Sequence, residues 1–393
     1  MAKINFVVNR SSSIIKVLGV GGAGCNAVNH MYNEGIYGAD FIICNTDSQV
    51  LDNSPVSIKI QLGESLTGGR GAGNQPERGE QAAIESLEEV RKVLEGTKML
   101  FITAGMGGGT GTGAAPVIAQ LAHDMEILTI AVVTVPSPSE GSRRFNQALE
   151  GVNKMTGLVD SLLVINNEKL HKVYGNLPAS QAFKKIDDVI GTAVRGVVEI
   201  ITLPGNINID FADVHTVMSK SEVFIMGTGT AEGENRAMDA VLEALESPLL
   251  DSNDISGCKD ILLNIISGED EITVTEIGRV IDYLQNRAKL DANIIWGNGR
   301  NPRLGNKVSV TIIATRFDKN PSYILQPKEE FELEPVAESV VEPELVEHEP
   351  EVLTKRAAKR STGRKEKTPK NSWFRKQLNL FFEEGDDDMN QKY

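Results

Sequence analysis

The stretch that decides the fold is Gly107-Gly108-Gly109-Thr110-Gly111-Thr112-Gly113. An apolar run of strand character, Met99–Ala104, precedes it, and Ala114–Ala122, a run of helical character, follows. A strand, a glycine loop and a helix start in that order aim backbone N–H groups and a helix dipole at a phosphate. Five glycines allow an anion closer to the backbone than any Cβ would, and Thr110 and Thr112 add hydroxyl donors. The loop holds no lysine, which excludes the G-x-x-x-x-G-K-[ST] phosphate loop. A flexible glycine turn is the plainer alternative, but linkers rarely separate a buried strand from an apolar helix.

A second loop of the same kind lies near the start of the chain. Ile14–Val20 reads as a buried strand, and Gly21-Gly22-Ala23-Gly24-Cys25-Asn26-Ala27-Val28 opens a helix. Gly19, Gly21 and Gly24 also satisfy G-x-G-x-x-G, with Asp40 or Asp47 near the place of a ribose-binding acid. That fingerprint alone would suit an NAD-dependent oxidoreductase. Beside the Gly107–Gly113 loop it says instead that one anionic ligand sits between two strand–helix turns.

Strand candidates at Ile14–Val20, Phe41–Asn45, Ile58–Leu62, Met99–Ala104, Leu128–Val135 and Ser161–Ile165 alternate with helical patterns, Glu77–Leu94 among them. This alternation predicts a doubly wound parallel α/β sheet with its ligand beyond the carboxyl ends of the strands. A long helical pattern over Ser180–Leu203 stops at Pro204-Gly205, and its wide apolar face suits a helix between two domains. A second, smaller α/β domain follows. Its expected strands are Glu222–Gly227, Asp260–Ser267, Ala292–Gly297 and Lys307–Thr315. Its expected helices are Asp210–Ser219, Asn235–Glu246 and Thr273–Ala288.

The whole chain has 393 residues, 40% of them hydrophobic, and a formal net charge of −14, which argues against a nucleic-acid surface. Three cysteines are too few for a disulfide framework and imply reduced thiols. The cysteines and five histidines show no metal-ligand spacing, so no metal site of protein ligands is expected. No secretory leader or bilayer-spanning run is evident, so a cytoplasmic protein touching membrane only peripherally is expected. Past Asp318 the composition breaks. Glu-rich 329–351 and Lys/Arg-rich 355–370, interrupted by prolines, predict a disordered linker, and Trp373–Phe382 predicts a docking peptide.

The two loops resemble the tubulin-like GTPases, whose signature is GGGTGTG. Three further segments narrow the resemblance to the FtsZ family of bacterial division GTPases. They are Gly19–Gly24 with Asn26-Ala27-Val28, Asn208-Ile209-Asp210-Phe211-Ala212-Asp213, and Pro302-Arg303-Leu304-Gly305. The resemblance covers about Ile14 to Phe317 in family order. It implies a tubulin-like fold: an arm (1–13), a GTP-binding domain (14–180), a central helix (181–205), an activation domain (206–318), a linker (319–370) and a partner-docking peptide (371–393).

It also implies a site. Gly21, Gly22 and Gly107–Thr112 would hold phosphate, and the loop with Ala72 and Gly73 would lie over the γ-phosphate. Here Asn74-Gln75 replaces the family's usual Ala-Asn, and Arg70 replaces an apolar residue. Glu140 and Arg144 would face ribose and phosphate, although a solvent-exposed helix start is the alternative. Ser137 stands where the family often has Phe, and His215 where relatives often carry Arg or Lys. Phe183 and Asp188, with Asn26 and Asn167, would hold guanine. Asp187 stands where the family usually has Asn, which leaves open which of the adjacent acids does that work; core packing for Phe183 and helix-surface charge for the acids are the alternatives.

Asn208, Asp210 and Asp213 would be catalytic. Their spacing equally suits helix capping, with Asp210 as N-cap and Asp213 three residues on. In the family this loop enters the next subunit's site, so hydrolysis of GTP to GDP needs head-to-tail filament assembly, with Mg²⁺ arriving on the nucleotide. The resemblance places the chain at the division site, its tail reaching membrane-tethering and regulatory proteins. A scaffold without hydrolysis is disfavoured by the presence of both acids, and the oxidoreductase reading explains neither GGGTGTG nor the Asn208–Asp213 loop.

Overall fold

The computed structural model describes residues 13–202, 205–246, 254–289 and 292–317. The expected linker and docking peptide lie outside the described residues, as does nearly all of the expected arm.

Twelve strands occur among the described residues, in chain order: β1 (Ile15–Val20), β2 (Asp40–Asn45), β3 (Ile58–Gln61), β4 (Met99–Gly105), β5 (Leu128–Val135), β6 (Ser161–Asn166), β7 (Gly205–Ile207), β8 (Glu222–Val223), β9 (Ile225–Ala231), β10 (Cys258–Ser267), β11 (Asn293–Arg300) and β12 (Val308–Phe317). The first sheet is parallel throughout, in the order β3-β2-β1-β4-β5-β6-β8. Every residue of β1 and β5 is buried, as the near-continuous apolar runs of a sheet covered on both faces require. The helices that cover it are α1 (Gly21–Asn33), α2 (Ser48–Asp52), α3 (Glu64–Thr67), α4 (Pro76–Glu85), α5 (Leu87–Leu94), α6 (Thr110–Asp124), α7 (Ser142–Met155), α8 (Asn167–Tyr174), α9 (Ala179–Thr202) and α10 (Phe211–Met218). Alternation along β1 feeds two cores. Ile15 and Val17 join Val28, Met31, Val194, Val197 and Val217 of α1, α9 and α10, whereas Leu18 and Val20 join Ala83, Val90, Ile118 and Val152 of α4–α7.

The second sheet is mixed, in the order β7-β11-β10-β12-β9, with β10–β11 parallel and its other pairs antiparallel. Its outer face packs on α11 (Arg236–Leu245) and α12 (Val274–Arg287). Its inner residues Met226, Leu262 and Ile313 share the core that holds the apolar face of α9. The long helix is therefore the wall common to both sheets, as its apolar face predicts.

Two expected elements are divided. The pattern over Glu77–Leu94 is two helices, α4 and α5, because Ser86 is claimed by the sheet. Its hydroxyl accepts the Gly63 N–H at 3.0 Å and donates to the Gln61 carbonyl at 3.1 Å, which pins the chain where α4 ends. The run Glu222–Gly227 is not one strand either. Glu222-Val223 completes the first sheet, buried Phe224 is the crossing point, and β9 begins in the second sheet one residue later.

Candidate functional site: a cavity at the switch point of the first sheet

Strands β1 and β4 are hydrogen-bonded neighbours, with Val20 paired to Ala104, and the sheet's winding reverses between them. A crevice opens at the carboxyl ends of strands at such a switch point. Because the two strands end level, α1 and α6 start side by side and both glycine loops face one space. It is a cavity of about 420 Å³, within the range of small-molecule sites.

Gly22, Ala23 and Asn26 of α1 line it, as do Gly108, Gly109, Thr110 and Gly111 of the second loop. No lysine is in its lining, so the two loops offer an anion backbone N–H groups and helix starts, and Arg144 of α7 is the one cation of the lining. Four of the five glycines of the second loop, all but Gly108, are fixed by packing. A Cβ on Gly111 would press into the Gly105 carbonyl, and one on Gly109 would sit 2.9 Å from both Ala72 Cβ and Gln75 N. Around Gly22 and Gly108, by contrast, a Cβ would meet nothing within 4 Å.

Other expected residues support the loops from outside the lining. Thr112 is buried, and its hydroxyl accepts the Gly107 N–H at 2.8 Å, closing the loop on itself. Thr46 and Thr110 hydroxyls lie 2.7 Å apart, joining the end of β2 to the start of α6. Ala72 is buried against Gly109, while Gly73 is exposed with a φ of 63°. Gly21 packs its backbone against Gly111. Arg70 is exposed and takes no part in the lining.

Glu140, Arg144 and Asn167 converge on the side of β5 and β6. Ser137 is buried and caps a short 3₁₀ turn, Pro138–Glu140, in which its own N–H donates to Glu140 Oε1 at 3.0 Å. That reciprocal cap fixes the carboxylate, which also accepts from Asn167 Nδ2 at 3.1 Å. The carbonyl oxygen of Asn167 is buried with no partner, and so is the hydroxyl of Thr103, another lining residue. Orphaned polar atoms facing a cavity are unmet demand for a polar ligand.

The remaining wall is the first half of α9, with Phe183, Ile186, Asp187 and Ile190. Phe183 is 54% exposed, which removes the core-packing alternative and leaves a bare ring at the cavity. Of the two adjacent acids, Asp187 lines the cavity and Asp188 does not. One residue is 100° of helix, and it turns Asp188 to His30 of α1, 2.9 Å away, and to Lys185 at 3.0 Å. The acid present at the cavity wall is therefore Asp187, and Asp188, the expected one, faces the α1 side instead. Burial pushes the Asp187 carboxyl up to about 6; His30 lowers it by less, and the neighbouring Asp188 charge adds to the rise. Thr103 and Thr134 are lining residues the sequence reading did not single out, and Asp187 is the one of the two adjacent acids, left open there, that reaches the lining. The only signal for the threonines is a hydroxyl residue near the end of an apolar strand.

Asn208, Asp210 and Asp213 are not in the cavity. Asn208 and Asp210 lie on the connection from β7 to α10, and Asp213 is in the first turn of α10. Asp210 Oδ1 accepts the Asp213 N–H at 2.9 Å, and Asp213 Oδ2 accepts the Asp210 N–H at 3.1 Å, so the capping alternative is realised within the chain. Asn208 Oδ1 accepts the Gly205 N–H, and Asn208 and Asp210 are exposed. All three cysteines are free and buried, and no helix among the described residues is long and apolar enough to cross a membrane.

The sequence profile of the Tubulin/FtsZ family, GTPase domain, matches residues 14–175, and that of the FtsZ family, C-terminal domain, matches residues 223–318. The "Cell division protein FtsZ" of Porphyromonas gingivalis is 44% identical over 320 residues, which is 81% of this chain and 70% of that protein. "Cell division protein FtsZ 1" of Archaeoglobus fulgidus is 46% identical over 309 residues, 79% of this chain and 83% of that protein. A solved FtsZ dimer of M. jannaschii, empty, superposes with a TM-score of 0.72 at 43% identity, covering 78% of this chain and 89% of that one. With both domains of the family matched in order and the cavity lying within or beside the first, the chain belongs to the FtsZ family of tubulin-like cell-division GTPases.

Proposed function

We propose that the cavity holds GTP with its phosphates on the two glycine loops and its base on the α9 wall, and that hydrolysis is completed by a second copy of the chain. The observation that carries this reading is the separation of the two halves: the glycine loops line the cavity, while Asn208, Asp210 and Asp213 are outside it, the first two exposed and Asp213 half-buried. GTP and GDP binding follow from membership of the GTPase family. Gly22, Gly108, Gly109, Thr110 and Gly111 would contact phosphate oxygens, with Gly21, Gly107, Thr112, Ala72 and Gly73 shaping that wall. Glu140 would accept ribose hydroxyls, Arg144 would neutralise phosphate charge, and Asn167 and Asn26 would meet the base. Phe183 stacks on guanine, and the Asp187 carboxylate accepts its N1–H and amino group.

The lining suits an ion that travels with the nucleotide. Its carboxylates are Glu140 and Asp187; Glu140 is already bonded to Ser137 and Asn167, and Asp187 belongs to the α9 wall. Mg²⁺ would be held chiefly by the nucleotide's own phosphates, and Thr110 is the lining hydroxyl residue of the second loop that could join them. When bound it supplies charge neutralisation at the phosphates.

An adjacent subunit would bring Asp210 and Asp213 to the γ-phosphate, where they orient the attacking water, with Asn208 fixing the loop. A contact between two different faces repeats head to tail and builds a filament. The solved dimer of the M. jannaschii relative supports self-association. On this reading residues 14–180 are the nucleotide domain, 181–205 the central helix and 206–318 the activation domain. The tail from 319 would be linker, and 371–393 the peptide that docks on membrane-tethering and regulatory proteins at the division site in the cytoplasm.

The test is phosphate release per chain against protein concentration. A rise from near zero past a threshold is expected; constant specific activity on dilution would show a self-contained GTPase.

A further inference from the structure

Beside the cavity, where α1 crosses α9, three donor atoms converge. His30 Nε2 lies 3.3 Å from Glu34 Oε1 and 2.9 Å from Asp188 Oδ1. His30 and Glu34 stand one turn apart on α1, so they share a face, and Asp188 reaches them from α9. The donor atoms of the three residues all lie within 4.8 Å of one another. The imidazole is 14% exposed, and its Nε2 is buried without a hydrogen-bond partner, because neither carboxylate oxygen meets it at a hydrogen-bonding angle.

The rest of the cluster sorts the carboxylate oxygens. The Arg195 guanidinium holds Glu34 through Oε2, and Lys185 Nζ holds Asp188 through Oδ2 at 3.0 Å. The cations thus occupy the outer oxygen of each acid and leave Oε1 and Oδ1 turned toward Nε2. Partners of this kind, which orient a ligand from behind, are the usual surround of a bound ion. Donor atoms about 3 Å apart are also what ligands at about 2.0–2.2 Å from one small cation would show.

We propose that His30, Glu34 and Asp188 form a three-ligand site for a divalent first-row transition ion such as Zn²⁺, with water completing the shell. One imidazole and two carboxylates suit Zn²⁺ or Co²⁺, and the nitrogen ligand disfavours Mg²⁺, which takes oxygen. The ion ties α1, which starts at the first phosphate loop, to α9, which carries Phe183 and Asp187. It fastens two walls of the cavity together and is separate from any ion carried by the nucleotide. This grouping among the described residues is invisible in chain spacing, since Asp188 comes from a different helix.

The competing arrangement is an ion-pair network in which a protonated His30 is shared by the two acids and no metal enters. The experiment is a Co²⁺ titration of the full chain after chelator treatment, with GDP and excess Mg²⁺ present. A saturable visible band at one equivalent, bleached by Zn²⁺, is expected. His30→Gln and Asp188→Asn, which keep size and hydrogen-bonding capacity, should each weaken Co²⁺ binding by at least about tenfold, and Arg195→Ala by about 10–100-fold. Circular dichroism and GDP affinity of each variant check that the fold and cavity persist. A Co²⁺ spectrum no different from that of the free ion, or equal binding by both ligand variants and the parent, overturns the site and leaves the network. Neither outcome bears on whether the chain turns over GTP.

Discussion

Asp210 and Asp213 each accept the other's backbone N–H, at 2.9 and 3.1 Å, so each acid commits one oxygen to the start of α10 and keeps the other free. Capping and catalysis are thus compatible in the same pair. They can be separated because Asn caps a helix as well as Asp does. Asp210→Asn should keep thermal stability and GTP affinity while turnover falls by on the order of a hundredfold or more. Asp210→Ala should lose the same turnover and also about 0.5–2 kcal/mol of stability. Phosphate release, nucleotide titration and thermal melts on both variants decide it. Loss of nucleotide binding in proportion to activity would place these acids in their own subunit's site.

The glycine loops give a second contrast. Gly111→Val should damage folding itself, because a Cβ there runs into the Gly105 carbonyl. At Gly108 an added Cβ meets nothing within 4 Å and the residue lines the cavity, so Gly108→Val should leave the melt nearly unchanged and weaken GTP binding by at least about tenfold, roughly 1.4 kcal/mol. A fluorescent nucleotide titration beside circular dichroism separates the two effects. Full affinity in Gly108→Val would remove this loop from the phosphate site.

Acidity should act through Asp187. Its carboxyl is pushed up to about 6 by burial, and guanine needs the ionised form. GTP affinity should therefore be steady above pH 7 and fall as pH drops through about 6. The same raised value makes the nucleotide-free fold gain from protonation, since burial of the neutral acid costs less. Binding and unfolding of the empty protein should then respond to pH in opposite directions in this window. Asp187→Asn cannot titrate and should flatten the binding curve; a pH profile unchanged in that variant would assign the effect elsewhere.

Arg236 carries the second half of the molecule. It is 7% exposed, lies 2.9 Å from Asp270 Oδ2 and 3.3 Å from Glu276 Oε1, and donates to the carbonyls of Asp270, Glu271 and Asn306. Arg236→Ala removes a buried guanidinium together with its bonds to three carbonyls and to Glu276, and should cost about 1.5–3 kcal/mol. Asp270→Ala should cost less than about 1 kcal/mol, because that side chain is 73% exposed. Denaturant titrations would reveal whether the order holds.

What the sequence made legible was local. A strand, a glycine loop and a helix start are contiguous, so the positions of β1, β4, α1 and α6 could be read directly, and with them the alternation that builds the parallel sheet. The misreadings came from partners distant in sequence. Ser86 breaks a regular helical pattern only because Gln61 and Gly63 lie beneath it. Glu222–Gly227 is a good strand that serves two sheets, a fact set by Leu162 on one side and Ala314 on the other. Asp187 and Asp188 are chemically identical, and only the rotation of α9 against α1 decides which faces the cavity.

The crossing at Phe224 has a mechanical meaning. The last residue of one sheet and the first of the next are separated by a single buried ring, and that ring belongs to the same core as α9. A tug on β9 is delivered to β8 with no slack to absorb it. The two halves should therefore exchange their protected amides as a single cooperative block, with no separate melting of the second sheet ahead of the first.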